Sequence, residues 1–288
     1  MFEQNESLPQ AIARNVRDAL AEDLGTGDWT AQLVPENRQA HAKLIVRQKA
    51  VLCGIAWFEA IVHQLDPQAR IQWKFQEGEW MQANSTVCEI DANARALLSA
   101  ERPAMNFLQT LSYTATITRQ HVDAIAGVSP NPNGCALLDT RKTLPGLRQA
   151  QKYAVRVGNG KNQRMALWDG ILIKENHIAA AGNITAALKA ADALQSGVDV
   201  QIEVENITEL QEALSAGAKS ILIDNFTLDQ MREAVKINAG RAFIEASGGI
   251  TLDQLQAIAA TGVDRISIGK LTKDIEAIDY SMRIDSLT

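Results

Sequence analysis

The second half of this 288-residue chain repeats one pattern. Short, branched apolar runs recur at residues 136–138, 171–173, 200–204, 220–223, 242–244 and 265–268. Helix-like stretches lie between the later runs, at 184–195, 208–216, 227–238 and 252–260. Runs this short, bounded by polar residues, read as strands buried on both faces. Strands that alternate with helices pair in parallel, because the helix carries the chain back to start the next strand. A closed barrel of this kind has eight strands. Six runs therefore predict an α/β architecture with an open, incomplete barrel.

The first half has another rhythm. Residues 9–24 form a helix with Ile12, Val16, Ala19 and Leu20 on one face and Gly25 as its stop. Strand-like segments follow at 43–47, 50–54, 70–75 and 86–90, with a helix at 57–65 and a turn at 78–81. This mixture without βα alternation predicts an N-terminal α+β domain. A long helical region, 94–125, carries Met105, Leu108, Leu111, Ile117, Val122 and Ile125, and the sequence predicts a break near Pro103. The boundary falls in this helix, giving domains 1–110 and 111–272.

Net charge is −6, so no overall basic field exists for nucleic acid or a membrane surface. The three cysteines, Cys53, Cys88 and Cys135, are isolated and lack metal spacing, which suggests a reducing compartment. The acidic, polar start is unlike a signal peptide, and no apolar run approaches the roughly 20 residues of a membrane span. A cytoplasmic protein is expected.

The residues at the strand ends carry the chemistry. They are Asp139-Thr140-Arg141-Lys142, Lys174-Glu175-Asn176, Glu203 and Glu205, Asp224-Asn225, Glu245 to Gly249, and Ser267 to Lys270. Active sites of α/β barrels lie at this edge. Between the first two ends also lie Arg148, Lys152, Arg156, Lys161 and Arg164. Solvated surface charge is the ordinary expectation for the helix at 147–157. Arg141, Lys142 and Lys174 differ, since each follows a buried strand closely, and cations there suit an anionic ligand. The Gly-rich exits Ser247-Gly248-Gly249 and Ser267-Ile268-Gly269-Lys270 could approach a phosphate with backbone N–H groups. Glu203 and Asp224, on neighbouring strands, suit Mg²⁺ held through few carboxylates plus substrate phosphate oxygens. Salt bridges to the lysines are the alternative, compatible with the first in an empty site.

At these residues the chain resembles quinolinate phosphoribosyltransferase. The resemblance rests on Glu101 to Asn106, on DTRKTLPGLR from Asp139, LIKENHI from Leu172, Glu203-Val204-Glu205-Asn206, LIDNF from Leu222, and the two Gly-rich exits with Leu271-Thr272. It spans nearly the whole chain. It implies an N-terminal sandwich and an open α/β barrel, with the tail at 273–288 returning to the first domain. It implies conversion of quinolinate and phosphoribosyl pyrophosphate, with Mg²⁺, to nicotinate mononucleotide, pyrophosphate and CO₂ in NAD synthesis. By the same resemblance Arg102, Thr140, Arg141, Lys142, Gln163, Arg164 and Lys174 bind quinolinate, with Arg102 reaching across a homodimer. Glu203 and Asp224 serve metal and ribose, and with Lys142 form the catalytic set. Ser247, Gly248, Gly249, Ser267, Gly269 and Lys270 take the 5′-phosphate.

The chain also departs from the family pattern. Gly158-Asn159-Gly160 stands for a triple glycine, and Asn162-Gln163-Arg164 for Asn-His-Arg. Gln163 can donate a hydrogen bond but cannot become a cation. Lys273-Asp274 replaces a His-Ser pair, and Lys270 is the candidate to replace its phosphate contact. Of the histidines, only His177 falls near the site, in a structural role. Three other readings compete: a related branch acting on another pyridine carboxylate or associated with molybdenum use, a Schiff-base aldolase through Lys174, and a silent phosphate-binding protein. The full cation set argues against a monocarboxylate substrate, and retention of both carboxylates argues against a silent protein.

Overall fold

The computed structural model of the chain describes residues 5–287. In chain order the elements are α1 (Leu8–Leu24), β1 (Gln39–Val46), β2 (Ala50–Val51), α2 (Ile55–Leu65), β3 (Arg70–Trp73), β4 (Trp80–Met81), β5 (Thr86–Asn93) and α3 (Ala94–Ile125). Then follow β6 (Ala136–Leu138), α4 (Arg148–Val157), β7 (Gly170–Ile173), α5 (Glu175–Ala181), α6 (Ile184–Ala193), β8 (Asp199–Val204), α7 (Ile207–Ser215) and β9 (Ser220–Asp224). The last are α8 (Leu228–Asn238), β10 (Phe243–Ser247), α9 (Leu255–Ala259), β11 (Arg265–Ser267), α10 (Lys270–Lys273) and β12 (Tyr280–Leu287). The chain divides into two compact units. One holds the residues up to Ile117, Leu144–Asn159 and those from Asp274 on; the other holds Thr118–Thr143 and Gly160–Lys273.

In the first unit an antiparallel sheet runs in the order β12-β1-β5-β3. Strand β1 alternates along its length, burying Ala40, Ala42, Leu44 and Val46. These pack with Trp57, Phe58 and Ile61 of α2 and with Leu97, Leu108 and Leu111 of α3. Helix α1 begins where the Ser7 backbone N–H donates to Gln10 Oε1 at 2.8 Å, with Pro9 in its first turn and Gly25 (φ 51°) at its end.

Helix α3 does not break at Pro103; it continues through the proline. Buried residues lie on both sides of it, Leu97 and Ala100 before, Ala104, Met105 and Leu108 after. Packing of that face outweighs the backbone hydrogen bond a proline removes.

The second unit is a six-stranded, fully parallel sheet in the order β6-β11-β10-β9-β8-β7. All six expected strands are present, in an open arrangement. Helix α5 lies where the sequence reading had only the motif after β7. Strand β10 sits further along than expected, at Phe243–Ser247 rather than 242–244, which takes Glu245 from a strand exit into the strand. Helices α6, α7 and α8 start on Asn183, Asn206 and Thr227, whose side chains accept from Ala186, Glu209 and Gln230 N–H groups. Among the described residues, no helix is long and apolar enough to cross a membrane.

Candidate active site

Side chains alternate along a strand, and residues paired in parallel register share a face. Glu203 pairs with Leu222, Glu245 with Leu222, and Ser247 with Asp224. The same face therefore carries Gln201 and Glu203 of β8, Leu222 and Asp224 of β9, and Glu245 and Ser247 of β10. Lys174, just past β7, joins it: its Nζ lies 2.7 Å from Glu203 Oε2. The Asn225 amide donates to Asp224 Oδ2 at 2.7 Å. The two carboxylates of neighbouring strands thus stand at one end of the sheet, one paired with a cation and the other held by an amide.

Further cations follow β6 and precede β7. Arg164 Nη1 donates to the Gly170 carbonyl at 2.7 Å, which ties this side chain to the start of β7. Burial, and then the nearby charge of Arg141, hold the Arg164 guanidinium below its usual pKa. An arginine so shifted stays charged at neutral pH. Two like charges kept close in a partly buried place favour an anion between them. After β6, Thr140 Oγ1 accepts from the Lys142 N–H at 3.1 Å, and Thr272 Oγ1 donates to the Lys142 carbonyl at 2.8 Å. The Lys142 stem crosses Gly269: a Cβ there would come 2.9 Å from Lys142 Cδ.

Asp139, fully buried, organises the segment that carries Gln163. Its Oδ1 accepts from the Gln163 N–H at 2.9 Å and its Oδ2 from the Asn162 amide at 2.5 Å. Gln163 Nε2 then donates to Gln201 Oε1 at 2.6 Å, and Gln201 Nε2 to Glu245 Oε2 at 3.0 Å. The Gly-rich exits are tightly fitted at Gly248 and Gly269. Gly248 has φ 113°, and a Cβ on it would come 2.8 Å from the Asn225 nitrogen. That nitrogen donates to the Ser247 carbonyl at 3.0 Å. Ser267 is buried at the end of β11, and Lys270 is exposed at the start of α10.

Family models match both halves of the chain: quinolinate phosphoribosyl transferase, N-terminal domain, over residues 28–112, and the C-terminal domain of the same enzyme over residues 114–283. The chain belongs to the quinolinate phosphoribosyltransferase family. A probable nicotinate-nucleotide pyrophosphorylase [carboxylating] of Bacillus subtilis is 39% identical over 264 residues, 91% of this chain and 90% of its own length. A chloroplastic nicotinate-nucleotide pyrophosphorylase [carboxylating] of Arabidopsis thaliana is 34% identical, over 94% of this chain and 82% of its own. The solved nicotinate-nucleotide pyrophosphorylase of Francisella tularensis superposes with a TM-score of 0.90 at 41% identity, covering 98% of each chain.

Within this quinolinate phosphoribosyltransferase fold, Thr140, Arg141, Lys142, Gln163, Arg164, Lys174, Glu203, Asp224 and both Gly-rich exits all belong to the second unit. Arg102 belongs to the first, exposed on α3. Arg148, Lys152 and Arg156 lie on α4, also in the first unit. Lys152 is fully buried there, against the surface position expected for this helix. His177 Nδ1 accepts the Lys174 N–H at 3.0 Å and closes the first turn of α5, a structural task. Sequence reasoning missed Gln201, Glu245 as an interior residue, and Thr272 as the anchor of Lys142. Gln201 lies two residues before Glu203, and strand alternation could have placed it on the same face. Among the described residues, no three His, Cys, Asp or Glu side chains group as a metal cage. The oxygen donors Glu203 and Asp224 do fit Mg²⁺, which needs few protein carboxylates when a substrate supplies phosphate oxygens.

Proposed function

We propose that this chain transfers the phosphoribosyl group of phosphoribosyl pyrophosphate to quinolinate, giving nicotinate mononucleotide, pyrophosphate and CO₂ in NAD synthesis. The observation that carries the reading is the arrangement of Lys174 against Glu203 on the sheet edge that also bears Asp224, with Arg164 and Arg141 close enough to feel each other's charge. A dianion with two carboxylates on adjacent ring carbons suits a pocket with several cations. Arg141, Lys142, Arg164 and Lys174 are assigned to it, with Thr140 and Gln163 as hydrogen-bond partners. Ser247, Gly248, Gly249, Ser267, Gly269 and Lys270 are assigned to the 5′-phosphate.

The ring nitrogen of quinolinate forms a bond to the anomeric carbon while the bond from that carbon to pyrophosphate breaks. Positive charge grows on the ribose as the leaving group departs, and Glu203 or Asp224 stabilises it. Lys142, its backbone fixed by Thr140 and Thr272, holds substrate anions in place. Glu203 and Asp224 would also hold Mg²⁺, whose charge offsets that of the departing pyrophosphate. The carboxylate beside the ribosylated nitrogen then leaves as CO₂, its electron pair entering the cationic ring and the vacated carbon taking a proton.

The working form is a homodimer in which Arg102 completes the partner's pocket. The three free cysteines support a reducing compartment such as the cytoplasm. The test is incubation with quinolinate, phosphoribosyl pyrophosphate and Mg²⁺. Stoichiometric CO₂ and nicotinate mononucleotide are expected. Turnover of nicotinate but not quinolinate would overturn the dicarboxylate reading.

A further inference from the structure

We propose that Gln201 and Glu245 are positioning residues that fix which end of the Gln163 amide serves as donor in the anion site. The proposal rests on the dicarboxylate reading of that site. A glutamine amide has nearly the same shape when turned end for end, but its hydrogen bonding reverses. Something must therefore set its direction. Here a chain of bonds does so from the nitrogen end, Gln163 Nε2 to Gln201 Oε1 and then Gln201 Nε2 to Glu245 Oε2, together with the Arg164 N–H at the oxygen end. A carboxylate only accepts, so Glu245 requires the nitrogen of Gln201 and turns its oxygen toward Gln163. Gln163 must then turn its own nitrogen toward Gln201. Its Oε1 accepts the Arg164 N–H at 2.7 Å. The N–H end of Gln163 is thereby kept as a donor, the polarity a carboxylate ligand needs, and its carbonyl is turned onto the backbone.

A second observation argues that this chain is more than filling. Glu245 is fully buried, and among the described residues its Oε1 has no hydrogen-bond partner. Gln201 is buried too. An unsatisfied buried carboxylate oxygen costs stability. On β9, between the two, the same face carries Leu222, an ordinary apolar core residue. A fold that needed only packing would put apolar residues at all three positions.

The variants are Glu245→Gln, which can bond either way round, and Gln201→Met, which fills the space and cannot bond. Each should raise KM for quinolinate about tenfold with kcat within about twofold, and leave KM for phosphoribosyl pyrophosphate unchanged. Gln163→Met should do the same, and adding Glu245→Gln to it should cost nothing more, since the two act through one chain. Independently of any substrate, the side-chain ¹⁵N–¹H₂ signal of Gln163, assigned by its loss in Gln163→Met, should move in Glu245→Gln. Additive kinetic losses with an unmoved Gln163 signal in both Glu245→Gln and Gln201→Met would overturn the proposal. A moved signal in a protein that neither binds nor turns over quinolinate would leave the relay standing and sink the dicarboxylate reading instead.

Discussion

Lys174 Nζ lies 2.7 Å from Glu203 Oε2, and the lysine side chain is 44% exposed while the glutamate's is 11%. The two ends of this pair therefore respond differently to mutation. Lys174→Ala removes the proposed ligand contact and leaves a nearly buried carboxylate without this cation. A lost charge-assisted contact costs about 1.5–3 kcal/mol, so calorimetry should show quinolinate binding weakened by about 10- to 100-fold. Glu203→Gln does the reverse. It leaves Lys174 for the substrate, so quinolinate affinity should stay equal or rise, while single-turnover rate falls about 10²-fold. Normal turnover in Glu203→Gln would make that residue a structural counter-ion.

The strand ends were legible from the sequence because branched runs ending on charges report burial and exit together. That is how Lys174, Glu203 and Asp224 could be placed at one edge before any coordinates. The long helix was legible as a helix but not across Pro103, because local rules cannot weigh the packing of Met105 and Leu108 against one lost hydrogen bond. Gln201 and Glu245 were hidden for a related reason. Polar residues inside a strand look like strand ends, and only the pairing of β8, β9 and β10 shows that they meet.

Gly248→Ala tests the phosphate exit. The backbone there has φ 113°, and an added Cβ would meet the Asn225 nitrogen at 2.8 Å, a backbone atom that cannot move aside cheaply. Strain of this kind costs on the order of 1–3 kcal/mol. The variant should melt earlier and show a raised KM for phosphoribosyl pyrophosphate, with quinolinate affinity little changed. Unchanged melting together with unchanged KM would mean that this loop is looser than its geometry indicates.

Asp28 gives a pH-dependent prediction. Its carboxylate accepts from the Ala31 N–H, the Ser99 hydroxyl and the Thr30 N–H, each at 2.9 Å. These bonds, the Ala31 one foremost, hold its pKa below the usual value. A lowered folded pKa adds stability above the unfolded pKa, which is lost as pH falls through the folded one. Asp28→Asn should therefore be less stable than the parent at neutral pH, by about 1 kcal/mol on the scale of helix caps. The difference should shrink below about pH 4. Thermal unfolding from pH 7 to pH 3.5 measures it, and a gap constant over that span would remove the charge from the explanation.

Arg102, on α3 of the first unit, tests the proposed sharing of a site across a homodimer. Arg102→Ala and Lys174→Ala subunits, each nearly inactive alone, should regain activity when mixed, because one of the two sites in a mixed dimer is intact. Native mass spectrometry would verify subunit exchange. No recovery after proven exchange would place Arg102 in its own subunit's site or outside any site.

Asp224 separates binding from catalysis. Its carboxylate stands at the end of β9, in register with Ser247 and held through Oδ2 by the Asn225 amide. In the sheet order β9 stands between β8, which carries Glu203, and β10, which ends in the Gly-rich exit, the place proposed for the ribose and its departing pyrophosphate. A group placed there works on charge that develops only in the transition state. Asp224→Asn keeps the shape and most of the hydrogen bonding, so the fold and quinolinate affinity should match the parent. Turnover should fall by about 10² or more, the scale of removing one preorganised electrostatic group. Because one oxygen donor for a hard cation has also lost its charge, the Mg²⁺ concentration for half-maximal rate should rise. Single-turnover rates across a Mg²⁺ titration report both effects. A slowed variant with an unchanged Mg²⁺ midpoint would assign Asp224 to the ribose alone, and normal turnover would remove it from the mechanism.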